Sequence, residues 1–143
     1  MIIAVDFDGT IVEHQYPEIG KEQPFATETL RLLIAEQHQL ILWTVREGKL
    51  LEAAIEWCRK QGVEFYAVNK DYPEEAKTHT GFSRKIKADL FIDDRNLGGI
   101  PDWGIIYRMI HERRPHRPIA TEEETPVKTK NWLKRYLYSL LHP

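Results

Sequence analysis

Apolar runs that alternate with stretches of helical periodicity predict an α/β domain, a parallel sheet sandwiched between helical layers. Two observations carry this. The runs 2–7, 40–43, 63–68 and 88–92 are short and apolar, and between them 26–36 and 49–60 space their apolar residues three and four apart. The right-handed crossover of such units makes the strands parallel.

IIAVDF (2–7) stops at Asp8-Gly9, as a buried parallel strand ends in a turn. Residues 9–24 are polar and carry Pro17, Gly20 and Pro24, the composition of a loop or small flap over that strand end. Leu30, Leu33 and Ile34 share one face of the first helix, and Leu40 to Trp43 form the second strand. Leu50, Leu51, Ala54, Ile55 and Cys58 repeat the helical pattern, and Gly62 stands where a left-handed helix cap forms. Val63 to Val68 is the third strand. Residues 69–88, with Pro73 and Gly81, read as a long connection with at most a short helical piece. Ala88 to Ile92 is the fourth strand. Gly98-Gly99 then breaks the chain, and Pro101 opens a helix whose apolar face is Trp103, Ile106, Tyr107 and Ile110. Residues 1–112 make the domain. Residues 113–126, RRPHRPIATEEETP, read as an exposed linker, and 127–143 as a C-terminal amphipathic helix placing Trp132, Leu133, Tyr136 and Leu140 together. That helix is expected to pack on its own domain or on a second copy, with contact to a membrane surface or to nucleic acid as the alternatives, which makes a homo-oligomer an expectation.

With 143 residues, 20 basic and 22 acidic side chains and 42% hydrophobic content, the chain has the balance of one compact soluble domain, without a nucleic-acid module's basic surplus. The N-terminus MIIAVDFDGT lacks the basic start and long apolar stretch of a secretion signal, and no apolar run approaches the ~20 residues that cross a bilayer. A cytoplasmic protein with no membrane partner is expected. Cys58, the single cysteine, reads as a buried structural thiol, and six scattered His show no zinc-ligand spacing.

Ligand sites of open α/β sheets lie beyond the carboxyl ends of the strands, where this sequence puts Asp6, Asp8, Thr44, Asp93 and Asp94. Asp6 and Asp8 share a face if the backbone stays extended between them, with Phe7 opposite. Four carboxylates at one edge repel one another unless counter-charged, and a hard divalent cation, Mg2+, answers that need. The set suits phosphoryl transfer: one carboxylate attacks phosphorus, another protonates the leaving oxygen and later activates water.

Asp6-Phe7-Asp8-Gly9-Thr10 after an apolar strand resembles the first motif, DxDGT, of the haloacid dehalogenase superfamily. Leu40 to Thr44 looks like its second motif, and Leu90-Phe91-Ile92-Asp93-Asp94 like its fourth. The resemblance spans about residues 1–112 and implies a Rossmann-like three-layer fold with helices on both faces. It implies Asp6 as the nucleophile that becomes an aspartyl-phosphate, Asp8 as general acid and base, and Thr44 as a hydrogen-bond donor to the phosphoryl group. Mg2+ would be held by Asp6, by the main-chain carbonyl of Asp8 and by Asp93, with Asp94 a ligand through water or an orienting group. The second aspartate favours phosphate-ester hydrolysis over dehalogenation. For the third-motif lysine, Lys85-Ile86-Lys87-Ala88-Asp89 resembles the family's Lys-Pro-x-Ala-Asp, which selects Lys85 and leaves Lys87 as the alternative.

Arg46, two residues after Thr44, either reaches a substrate phosphate, caps the next helix, or pairs with Glu47 or Glu13. Asn69 and Lys70 stand at the same rim, and Arg95 and Asn96, directly behind the acidic pair, are placed to pair with those acids instead of substrate. The segments between strands and helices are too short for a folded cap domain, so the chain looks like a capless member. The expected activity is Mg2+-dependent hydrolysis of a phosphate monoester, with a small molecule or nucleotide favoured over long nucleic acid as substrate. The alternatives are a non-catalytic metal- or phosphate-binding regulatory module and a phosphotransferase to an acceptor other than water.

Overall fold

The computed structural model describes residues 1–76 and 85–114. In chain order these form β1 (Ile2–Val5), α1 (Ala26–Ala35), β2 (Gln39–Leu42), α2 (Gly48–Lys60), β3 (Ala67–Val68), β4 (Leu90–Ile92) and α3 (Trp103–His111). The strands make one parallel sheet in the order β3-β2-β1-β4. The fold is α/β, consistent with a Rossmann-like arrangement. Most of the expected linker and the whole expected C-terminal helix lie outside the described residues, as does Gly81.

The topology decides where the helices go. The steps β1 to β2 and β2 to β3 run the same way across the sheet, so right-handed crossovers put α1 and α2 on one face. Burial agrees: one cluster joins Ile3, Val5, Leu40 and Leu42 of the strands to Leu30 and Leu33 of α1, Ala54 and Cys58 of α2, and Ile106 and Ile110 of α3. Alternate strand residues point the other way, so Ala4, Ile41 and Ala67 meet Ile86 on the opposite face. Ile86 closes the return from β3 to β4, which runs back across the sheet. No described helix is long and apolar enough to cross a membrane.

Several boundaries differ from the sequence reading by one to four residues, and three of them have a local reason. Strand β1 stops at Val5 instead of Phe7, because the Phe7 carbonyl accepts the N–H groups of Ile11 at 3.0 Å and Val12 at 3.2 Å and so closes a turn. Strand β3 is only two residues long, and the first residue of the expected strand, Val63, still belongs to the end of α2. Gly62, at φ 79°, donates to the Arg59 carbonyl and Val63 to the Cys58 carbonyl, the glycine-capped helix end the sequence predicts. Helix α3 begins at Trp103, not Pro101, because the Asp102 side chain accepts the Ile105 N–H at 3.0 Å and fixes the N-cap there.

Candidate active site

Register builds the site. Val5 pairs with Leu42 on one side and with Ile92 on the other, so the residues that follow leave the sheet side by side: Asp6 next to Asp93, with Thr44 on the other flank. The Asp6 N–H donates to the Ile92 carbonyl at 3.0 Å, and the Trp43 N–H to the Val5 carbonyl at 2.9 Å, which prolongs the pairing by one residue at this edge.

One carboxylate oxygen from each of Asp6, Asp93 and Asp94 lies within 4.8 Å of the other two. The geometry around them is held by Thr10, a buried residue to which the sequence reading gave no role. Its hydroxyl donates to Asp6 Oδ2 at 3.3 Å and accepts the Asp94 N–H at 3.0 Å, bridging the ends of β1 and β4. Its carbonyl accepts the Trp103 indole N–H at 3.1 Å, which ties the turn to α3. Gly9 sits at φ 91° against Asp94, and a Cβ there would overlap the Asp94 carboxylate. The signal for both was present as the Gly-Thr that follows Asp8, but nothing in it named the partners.

Burial raises the Asp6 carboxyl from its ordinary 3.8 to about 6, with the charges of Asp93 and Asp94 pushing the same way against hydrogen bonds from the Phe7 backbone and Thr10. Asp94 Oδ1 is buried and has no hydrogen-bond partner among the described residues. An oxygen without a partner among the described residues, beside two further carboxylates, makes a donor set of hard oxygens that could hold a divalent cation. Asp93 Oδ1 accepts the Arg95 main-chain N–H at 2.8 Å, and the Asp93 carbonyl accepts from Asn96 Nδ2 at 2.7 Å, so the Arg95 backbone and the Asn96 side chain hold the acidic strand end.

The fourth acid is elsewhere. Asp8 is 6% exposed and Arg46 is fully buried, and the two form a side-on pair: Arg46 Nε donates to Asp8 Oδ2 and Nη2 to Oδ1, both at 2.7 Å. The expected edge of four carboxylates is therefore three plus an ion pair. The turn after Val5 ends the extended backbone that would have kept Asp6 and Asp8 on one face, and the Asp8 side chain is not in the three-carboxylate group. Arg46 is likewise corrected. It is not an open phosphate ligand, and it pairs with neither Glu47 nor Glu13; its guanidinium is spent on Asp8 and on the carbonyls of Pro17 at 3.0 Å and Glu18 at 2.7 Å. Asp8 raises the Arg46 guanidinium further above its usual value.

Thr44 is at the expected edge. Its hydroxyl accepts the Arg46 N–H at 3.3 Å, which leaves the hydroxyl proton for an incoming anion. Asn69, at φ 52°, accepts the Thr44 N–H on Oδ1 at 2.8 Å and donates its own N–H to the Leu42 carbonyl, so it buttresses Thr44. The Lys70 ammonium is turned onto the Pro73 carbonyl. Lys85 and Lys87 are exposed ahead of β4, and the Lys87 N–H donates to Asp71 Oδ1 at 2.6 Å. Cys58 is buried and its thiol is pushed up to about 12, so the structural reading of it holds. A separate apolar recess of about 90 Å³ between β4 and α3 touches the site only through Asp93 and Asn96.

A parallel α/β domain with a carboxylate cluster at the strand ends is the class these features define. A solved structure described as a conserved protein from Bacteroides thetaiotaomicron is 75% identical to this chain, with a TM-score of 0.75 over 79% of this chain and 91% of that one. The chain belongs to the same family as that protein. No family model and no curated protein matches the chain.

Proposed function

We propose that the chain is a Mg2+-dependent phosphate monoester hydrolase of the haloacid dehalogenase type, with Asp6 as nucleophile and Asp8 as general acid and base. The observation that carries this reading is the group of Asp6, Asp93 and Asp94, with Asp94 Oδ1 lacking a partner among the described residues, two residues from an independently anchored Asp8. Asp6, Asp93 and the main-chain carbonyl of Asp8 would hold the cation, with Asp94 as a further ligand or orienting group. The cation would supply charge neutralisation for the anionic ester and for the carboxylates around it.

An Asp6 oxygen attacks phosphorus, forming the Asp6 acyl-phosphate bond while the ester P–O bond breaks. Asp8 passes a proton to the departing oxygen, leaving the alcohol. Water then attacks phosphorus and gives its proton back to Asp8, and the acyl-phosphate bond breaks to release inorganic phosphate and Asp6. Thr44 donates its hydroxyl proton to a phosphoryl oxygen, and Lys85 is our choice for the cation of the third motif. The rim supports an open, capless site. Val45 and Leu97, on the loops after β2 and β4, are 78% and fully exposed, as suits a substrate larger than its phosphate. For the whole chain we carry the three-layer arrangement: the apolar face of Ala4, Ile41 and Ala67 is the one a second helical layer would cover.

A second reading, a non-catalytic metal-binding module, draws on one observation: both oxygens of Asp8 are taken by Arg46. Phosphate release from a panel of monoesters with and without Mg2+, in wild type, Asp6→Asn and Asp8→Asn, separates the two. The hydrolase reading expects metal-dependent release that both variants abolish. Mg2+ binding without release from any ester favours the module.

A further inference from the structure

We propose that Arg46 is the positioning residue for Asp8, a buried clamp that ties the orientation of the Asp8 carboxylate to the loop after β1 at Pro17 and Glu18. This rests on the hydrolase reading. A guanidinium with no exposure to water is costly to bury unless its donors are satisfied. Arg46 satisfies four of its five N–H donors: two on Asp8, one on the Pro17 carbonyl and one on the Glu18 carbonyl. Its plane is further fixed between two rings, with the central carbon 5.1 Å from the centre of Phe7 and 5.3 Å from that of Tyr16.

The pair has a consequence for catalysis. A guanidinium only donates, so while both contacts are closed both Asp8 oxygens accept, and neither is turned to a substrate. To hand a proton to a leaving oxygen, Asp8 keeps one oxygen on Arg46 and swings the other away. The same Nη2 that holds Asp8 Oδ1 also holds the Glu18 carbonyl, so movement of the loop and release of that oxygen are coupled through one nitrogen. Arg46 thereby acts through Asp8 and touches no substrate. An exposed ring, Tyr16, covers the outer side of the clamp.

The test exploits the leaving group. An alkoxide needs the proton from Asp8; para-nitrophenolate leaves almost without it. With Mg2+ present, Arg46→Lys keeps the charge and loses the fork. The expected result, read as alcohol or phenol release in the first, phosphorylating turnover so that the later water step does not enter, is a fall of about 10–100-fold on β-glycerol phosphate against less than about threefold on para-nitrophenyl phosphate. An equal fall on the two esters in that first turnover, or a weaker substrate affinity at an unchanged first-turnover rate, overturns the proposal. Should Arg46→Lys fail to fold, Asp8→Asn is compared with Asp8→Asn/Arg46→Gln in the first-turnover release of para-nitrophenol from para-nitrophenyl phosphate, a step that Asp8→Asn still performs. No further loss in the double variant is expected, and a further loss of more than about tenfold overturns the clamp. A wild type that turns over neither ester with Mg2+ overturns the hydrolase reading itself; a wild type active on both, with an equal fall in Arg46→Lys, overturns only the clamp.

Discussion

Arg46 meets Asp8 side-on, with Nε on Oδ2 and Nη2 on Oδ1 at 2.7 Å each, although the two residues are 38 apart in the chain. The contact sorts the acids at the strand ends into two kinds. Asp8 has a built-in counter-charge, whereas Asp6, Asp93 and Asp94 face one another. A cation added to the protein is therefore expected to act on the three and to leave the pair alone.

Removing one partner of the buried pair leaves the other charge stranded. Arg46→Met is expected to lower unfolding free energy by about 3–5 kcal/mol, and Asp8→Asn/Arg46→Met to recover part of that loss. Urea denaturation of the wild type, Arg46→Met, Asp8→Asn and the double variant checks it; additive losses would mean that the two side chains do not act as a unit.

Asp6 gives the metal-free protein a characteristic pH response. Its folded value, about 6, lies above the ordinary 3.8, so between about pH 4 and 6 the folded state keeps a proton that the unfolded chain has lost. Stability contributed by this group is then present at low pH and is lost as pH rises through that window. Asp6→Asn removes the loss. At pH 7 the variant is expected to be the more stable by about 1–2 kcal/mol, a figure discounted for the partial exposure of Asp6, with the gap closing below pH 4. Denaturation in the presence of a chelator, as a function of pH, reads this directly. A wild type that gains stability over Asp6→Asn as pH rises from 4 to 6 would contradict it.

Mg2+ is expected to stabilise the wild type and to spare variants that lack a ligand. At ten times the dissociation constant the gain is about 1.4 kcal/mol. Thermal unfolding with and without the ion measures it, and Asp93→Asn and Asp6→Asn should show little of the gain. An equal gain in all three proteins would place the ion elsewhere.

Gly9 carries the turn on which the site depends. Gly9→Ala forces a side chain into a left-handed backbone and onto the Asp94 carboxylate, so it is expected to cost more than about 1 kcal/mol and to weaken the Mg2+ response together. Thr10→Val is the milder comparison. It leaves the Asp94 N–H without its acceptor, for a loss of about 1–3 kcal/mol. Unfolding curves with a Mg2+ titration separate backbone strain from loss of the bridge.

Asp6 and Asp93 were legible because the apolar runs before them put both at strand ends, and parallel pairing does the rest. Gly62 was legible from its place one residue past a helical pattern. What escaped was whatever depends on the turn between elements. Asp8 looked like the neighbour of Asp6 until the Phe7 carbonyl turned the chain, and Arg46, flanked by Glu47, gave no hint that its partner lay on the first strand's loop. The Thr10 bridge joins residues 84 apart and has no periodic signature. At the expected start of β3 the helix end competes, since it uses the Val63 N–H that a strand would have used. The expected linker and terminal helix fall outside the described residues apart from Arg113 and Arg114.

The most direct test of the central claim is to trap the phosphoryl group on Asp6. Asp8→Asn, mixed with para-nitrophenyl phosphate and Mg2+ and quenched rapidly in acid, should carry one phosphoryl group, mapped by peptide mass to Asp6, because attack proceeds while the water step lacks its base. Label on another residue, or phosphate release in the wild type with no protein-bound phosphoryl in either form, would contradict Asp6 as the nucleophile.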